Sequence, residues 1–528
     1  MDKTISTEGS PTPPKYWDRC HVYLSRKGRF CNQFPSKNGT HCGNHVHLLR
    51  SANSEHCTDE RERIPCPIDP SHLIFADQVE KHQLICPKFR NQREQEGRPY
   101  FRRNVNLGGH GGMGDTSPRD RTAAWAQNFA LKLLEIHQKL YCGKSPKDIR
   151  HLTNDDIYDA IPMKDLSQPE IAAGLPEAVE AYRIKSGGHR HLIQQASLIG
   201  HLRRIGVLPG LNESSSANDI IFLEMGAGRG MLGLVAAGVA SLREADMARL
   251  VLVERSGSRS KADTVLRTNA GEGQPGEASQ QYMRLRTVEW TRIQCDLAHV
   301  HMPTVLNQYT CENDEPLGRK RKGRDYLVRP KVVVIAKHLC GAGTDLALKS
   351  LKGIASQVDA CIMATCCHGV CTWSEYVGRG YLCEAFIKHN LEFGMHEFEL
   401  IRRWSTGTVA TEGNTLNKEA CDDKEYAKTA FFDKTSELHS DKMNDFPNDN
   451  FTLSTIIQQA GLSCDVHGVG RACQRLLDYG RCKFLEHELK FAGSPSPNHV
   501  ELCHYVPSMV TPQNAVLVCC KPLTEKGP

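Results

Sequence analysis

Six short apolar runs, DIIFLEMG, RLVLVERS, TRIQCDL, KVVVIAKHLCG, DACIMATCC and NAVLVCC, recur between residues 219 and 520, with helix-patterned stretches between them. Short apolar strands alternating with helices predict a mostly parallel, doubly wound α/β sheet from about residue 185 to 525. No apolar run reaches the length that spans a bilayer; the longest candidate is MLGLVAAGVA. Upstream, TAAWAQNFALKLLEIHQKLY sets Trp125, Phe129, Leu133, Ile136 and Leu140 on one helical face. This stretch predicts a helical connector over 121–184.

The region before it is built differently. Residues 17–90 are dense in Cys and His and thin in apolar periodicity, and a segment so small needs staples to fold. The full chain has 528 residues, 22 of them cysteine, and its amino-terminal residues lack the apolar core of a signal peptide. The expectation is a reducing compartment, the nucleus or cytoplasm, where clustered cysteines bind metal or stay as thiols. A formal charge of +5 is too weak to attract nucleic acid as a global field, so any such affinity must come from local patches. Residues 1–16 read as a disordered tail and residues 91–120, rich in Gly and Arg, as a linker. Insertions interrupt the α/β region near 308–328 and 411–450.

CPIDPSHLIFADQVEKHQLIC places Cys66, His72, His82 and Cys86 at zinc-finger spacing, within a module of residues 63–90. His82 and Cys86, four apart, share one helical face. Leu73, Ile74, Phe75, Val79 and Leu84 are the expected core around the ion. The spacing resembles the CHHC fingers of RNA-processing proteins, including the minor spliceosome and certain tRNA methyltransferases. A second module, residues 17–50, carries Cys20, Cys31 and Cys42 at even spacing, with His45 closing the set and His21, His41, His47 and Cys57 as rival fourth ligands. Four protein ligands leave no open position, so these two zinc ions are structural. Arg26, Lys27 and Arg29 interleave with aromatic residues in the first module and are candidate RNA contacts.

IIFLEMGAGRGMLGL joins a strand to a helix through Glu224, Gly226, Gly228 and Gly230. Gly228, Gly230 and Gly233 also fit a dinucleotide fingerprint. Glu224 favours the ammonium of S-adenosylmethionine over a pyrophosphate. Glu254 ends the next run, where it can accept from ribose hydroxyls, and Asp296 follows the third, where it can accept from an adenine amine. Three acids closing successive strands predict a class I (Rossmann-like) S-adenosylmethionine-dependent methyltransferase. Lys337 and His338, just past another strand, are the candidates for handling a proton. Cys366, Cys367 and His368, with His338, could hold a third zinc, but read better as packing residues and a hydrogen-bonding histidine. Arg471, Arg475 and Arg481 make a basic helical stretch that either grips RNA or is an exposed helix face.

The two finger patterns, FLEMGAGRG, AKHLCGAGTD and CCHGVC together resemble the eukaryotic tRNA 2′-O-methyltransferases that modify position 4 of the acceptor stem. The likeness extends to RHLIQQASLIGHL and GRACQRLLDYGRCKFL. It implies S-adenosylmethionine as donor and tRNA as partner, with cytidine or adenosine 4 as the target. The rival reading is an RNA-processing scaffold with an inactive methyltransferase fold.

Overall fold

The computed structural model describes residues 18–24, 29–35, 40–42, 45, 63–70, 72–108, 122–143, 148–167, 189–208, 219–241, 247–255, 262–263, 266–267, 288–312, 315–316, 329–340, 342–408 and 452–521. The expected tail and the 411–450 insertion lie outside these residues, as does most of the 308–328 insertion. The chain divides into two compact units, residues 1–98 and 99–528.

In the first unit, β1 (Tyr23–Leu24) and β2 (Arg29–Phe30) form an antiparallel pair, and so do β3 (Arg63–Pro65) and β4 (Leu73–Phe75). Helix α1 (Val79–Ile85) follows β4, and Cys86 closes it by donating its N–H to the His82 carbonyl. Pro87 then opens α2 (Pro87–Glu96), where its missing N–H costs nothing. The core here is Ile74 with Ile64, Ile68, Val79 and Phe89. Leu84, expected inside, is 67% exposed. Val79, His82 and Cys86 follow a three-and-four spacing that turns their face inward, and Leu84 falls on the other side.

The expected linker over 91–120 is corrected at its start. Residues through Glu96 are helical, with Gln92 bonding Glu96 and Arg98 bonding Glu94 across one turn. Residues 101–108 are fastened to the second unit: Phe101 bridges Val300, and the Asn106 amide donates to the carbonyls of Leu297 and Val300.

Helix α3 (Ala123–Cys142) starts where the Thr122 hydroxyl accepts from the Trp125 N–H and ends at Gly143 in the left-handed region. It is no connector. Phe129, Leu133, Leu134 and Ile136 are buried in a helical core. After α4 (His189–Arg204) the chain enters β5 (Asp219–Met225), α5 (Met231–Ala240), β6 (Met247–Glu254), β7 (Glu289–Gln294) and α6 (Met302–Thr310). It then returns through β8 (Lys331–Cys340), α7 (Ala342–Ser350) and β9 (Val358–Cys366). Helices α8 (Arg379–Ile387), α9 (Met395–Trp404), α10 (Leu453–Ala460) and α11 (Val466–His487) complete the helical core around α3. Strands β10 (His499–His504) and β11 (Ala515–Cys520) finish the sheet.

The seven-stranded sheet has the order β10-β11-β9-β8-β5-β6-β7. The five strands from β9 to β7 run parallel, and β11 enters antiparallel between β9 and β10. This is the mixed α/β, mostly parallel architecture expected. Alternate residues feed opposite faces: Phe222, Leu250 and Ile335 pack with α4 and α5, whereas Leu223, Val251 and Val334 pack with α6 and α7. From β5 the chain steps outward to β7, then crosses back to β8. The carboxyl ends of β5 and β8 therefore flank a topological switch point, where open α/β sheets bind ligands.

Candidate active site

The turn after β5 is a left-handed glycine loop. Gly226, Gly228 and Gly230 have φ of +62°, +49° and +68°, a region that side chains other than glycine rarely adopt. Space is as tight as the backbone. A Cβ on Gly226 would lie 2.5 Å from Leu339 Cδ2 at the end of β8, and one on Gly230 would lie 2.9 Å from Leu252 Cδ1. Glycine thus lets the loop settle directly on the strand ends.

The three acids each hold a backbone N–H at these strand ends. Glu254 Oε2 accepts the Gly228 N–H at 2.9 Å. Asp296 Oδ1 accepts the Ala298 N–H at 2.8 Å, holding the turn after β7. Glu224 is only 3% exposed and accepts the Gly233 N–H at 2.9 Å inside the first turn of α5. Burial pushes its carboxyl up to about 8. The reading of Glu224 as a partner for a donor's ammonium is therefore corrected: with almost no accessible surface, it pins the helix start beneath the loop. Arg292, on β7, was not foreseen. It pairs with Asp263 at 2.9 Å and donates Nη1 to the Gly228 carbonyl at 3.1 Å. An arginine inside the TRIQCDL run was the available signal.

Lys337 lies near the carboxyl end of β8, with Nζ 3.2 Å from His191 Nδ1 of α4. His191 belongs to the RHLIQQASLIGHL stretch but had been given no role. His338 marks a bulge, because Lys337 faces Ala364 while Leu339 faces Thr365.

Behind the strand ends lies a buried ionic network. Asp478 of α11 accepts from His368 Nε2 at 2.8 Å, from Thr365 Oγ1 and Arg475 at 3.1 Å each, and from Arg481 at 3.2 Å. Arg481 also grips Asp345 of α7 at 2.7 Å and donates to Cys371 Sγ at 3.0 Å. Burial alone would raise the Asp478 carboxyl, but His368 and the two arginines hold it well below the usual carboxylate range. Arg475 and Arg481 are 2% and 0% exposed. Their assignment to RNA is corrected: α11 runs through the interior, and acids three residues away and on α7 neutralise both charges. Through Asp345 on Arg481, and Thr365 and His368 on Asp478, the network ties α7 and the end of β9 to one helix. Arg471, on the same helix, stacks over the Tyr158 ring at 4.5 Å.

The first unit brings its metal-binding candidates together. Cys20, Cys31, Cys42 and His45 place their ligand atoms within 4.8 Å of one another, and so do Cys66, His72, His82 and Cys86. His45 Nδ1 is 3.4 Å from Cys20 Sγ and 3.3 Å from Cys42 Sγ. Cys66 Sγ is 3.9 Å from Cys86 Sγ, and the His72 and His82 Nε2 atoms are 2.9 Å apart. All five cysteines are buried, and both donor sets suit a tetrahedral Zn2+. Among the rival ligands, His47 and Cys57 lie outside the described residues, while His21 and His41 are not part of the cluster. Arg29 is exposed on β2; Arg26 and Lys27 lie outside the described residues.

Comparison with known proteins agrees with this division. The CCCH zinc finger in TRM13 protein matches residues 18–46 and the U11-48K-like CHHC zinc finger matches residues 63–87. A Mus musculus protein named tRNA:m(4)X modification enzyme TRM13 homolog is 25% identical over 542 residues, covering 94% of this chain and 93% of that one. The Saccharomyces cerevisiae tRNA:m(4)X modification enzyme TRM13 is 24% identical over 413 residues, covering 73% and 77%. The Oryza sativa protein of that name is 28% identical over 254 residues, covering 45% and 88%. Methyltransferase TRM13 is the family whose model matches residues 193–520, the whole sheet and the helices around its strand ends, and the chain belongs to that family.

Proposed function

We propose that this chain transfers a methyl group from S-adenosylmethionine to the ribose 2′-hydroxyl of nucleotide 4, cytidine or adenosine, in the acceptor stem of tRNAs such as tRNA-Gly, tRNA-Pro and tRNA-His. The observation that carries the donor reading is the loop of left-handed glycines at the switch point, with acids after the neighbouring strands β6 and β7. The sheet supports a class I (Rossmann-like) assignment, since its last strand runs antiparallel between two parallel neighbours. The relatives' names, which speak of a tRNA m(4)X modification, support the nucleotide.

When bound, S-adenosylmethionine supplies an electrophilic sulfonium methyl. Gly226, Gly228 and Gly230 would give it close backbone approach, with Glu254 suited to the ribose and Asp296 to the adenine. In the transfer, the 2′-oxygen bonds to the methyl carbon as the carbon–sulfur bond breaks, and the hydroxyl proton must leave. Lys337, in hydrogen-bond contact with His191, stands at the end of β8 to take that proton or to steady a phosphate; His338 is its neighbour in the bulge. Most of the catalysis is alignment, because the methyl is already activated. The fingers, with Arg26, Lys27, Arg29 and Phe34, which is exposed and stacked under Arg19, offer charge and an aromatic face for a second part of the tRNA. We place this activity in the reducing nucleus or cytoplasm.

Calorimetry with S-adenosylmethionine separates this reading from an RNA-processing scaffold whose methyltransferase fold is inactive. The parent chain should bind the donor, and Gly228→Asp should abolish binding while keeping the parental circular dichroism. Aspartate tolerates the backbone angle but sets a second carboxylate beside Glu254. A parent that binds no donor, or a folded variant that binds it normally, would overturn the donor site.

A further inference from the structure

Outside the fingers and the glycine loop, Cys340, Cys366 and Cys367 bring their sulfur atoms within 4.8 Å of one another at the carboxyl ends of β8 and β9. Cys340 Sγ is 4.0 Å from Cys366 Sγ and 3.3 Å from Cys367 Sγ. Zinc–sulfur bonds of about 2.3 Å in a tetrahedron separate two sulfurs by roughly 3.8 Å. The zinc-finger thiols of this same chain stand 4.0 Å (Cys31 and Cys42) and 3.9 Å (Cys66 and Cys86) apart. The Cys340–Cys366 pair therefore has the spacing of the finger thiols, and the Cys340–Cys367 pair stands closer and would open by about 0.5 Å to share an ion.

Two backbone features assemble it. The bulge at His338 advances β8 by one residue, so that Cys340 faces Cys366 across the parallel pair. Without it, Cys340 would stand opposite Cys367, and its side chain would point to the other face from Cys366. Cys367 then adopts φ +48°, a left-handed conformation unfavourable for a residue with a Cβ. In a regular strand, adjacent residues point to opposite faces. This kink instead returns the Cys367 sulfur to the side of Cys366. Strain of this kind, held by surrounding structure, collects at functional sites. The surrounding structure here is the Asp478 network, which anchors Thr365 and His368 on either side of the cysteine pair. His368 spends Nε2 on Asp478 and is not one of the three clustered donors.

We propose that Cys340, Cys366 and Cys367 hold a third Zn2+, with the fourth position taken by water. Three protein ligands and one exchangeable one are the pattern of a reactive rather than a purely structural zinc site. Cys367 is exposed, so solvent reaches the cluster. The thiol protons leave to solvent as the ion binds. Leu339, next to Cys340, packs under Gly226, which sets the ion beside the donor loop.

Zinc content of the full-length chain tests this. The protein is loaded with ZnCl2 under reducing conditions, freed of excess metal by gel filtration and measured by elemental mass spectrometry. The parent should carry three ions per chain, and the double variant Cys340→Ser, Cys367→Ser should carry two with unchanged circular dichroism. A parent with two ions overturns the site, as does a folded double variant that still carries three. If the double variant does not fold, the single Cys367→Ser change decides. One of its three ions should pass to a competing chelator at least tenfold more readily than in the parent; parental retention of all three would refute the proposal.

Discussion

Asp478 carries one negative charge that His368, Arg475 and Arg481 all approach within 3.2 Å. A buried charge that loses its counter-charge costs far more than the intact pair contributes. Asp478→Asn leaves Arg475 uncompensated in the interior and Arg481 with Asp345 alone. It should lower stability by about 3–5 kcal/mol in urea unfolding. A loss below about 1 kcal/mol, the range of exposed pairs, would show that the network is not the anchor of the strand ends. Glu224 presents the opposite case, an acid kept neutral. Its folded carboxyl is raised to about 8 from an ordinary 4.5. Between those values the folded chain keeps a proton that the unfolded chain has released, so this group's contribution falls as pH rises from 4.5 to 8. Glu224→Gln removes the titration, and its unfolding midpoint should decline less across that window than the parent's. Equal slopes would mean that Glu224 is ionised in the fold.

At the scale of elements, the zinc fingers and the sheet have separate sources of stability. The finger of residues 63–87 buries a single isoleucine with its two cysteines, too little apolar surface to fold without the ion. Cys66→Ala or His82→Ala should release one zinc ion and unfold that finger, seen as loss of its amide dispersion by NMR. Donor affinity, a property of the second unit, should stay within twofold of the parent. Loss of donor binding in these variants would mean that the finger supports the methyltransferase unit.

Elements also differ in how readable they were. Most of the apolar runs became strands because they are buried on both faces, which leaves an unbroken hydrophobic signal; TRIQCDL, at the sheet edge in β7, is only partly buried. Strand β10, HVELCH, went unseen because it lies at the sheet edge and its first half is polar and partly exposed. The ligand spacings of the fingers were legible because zinc fixes them locally. The arginines of α11 misled for the opposite reason. A basic helical stretch reads as surface unless one knows that Asp345, 136 residues before Arg481, will meet it. Cys340 facing Cys366 depends on a one-residue bulge, which no periodicity reveals.

For the whole molecule, the proposed function divides catalysis and recognition between different parts. Under the proposed function, the switch-point crevice would hold donor and acceptor, while a duplex acceptor stem would offer its 2′-hydroxyls in a shallow groove with little sequence to read. On that reading, choice of tRNA would fall partly to the fingers, which would add a second weak site on the same ligand. Methyl transfer from labelled S-adenosylmethionine into unmodified total tRNA, followed by nucleoside analysis, tests the central claim most directly. The account predicts label in 2′-O-methylcytidine or 2′-O-methyladenosine at position 4 of a small set of tRNAs. Label in a methylated base, or no transfer by a chain that binds donor and tRNA, would contradict it.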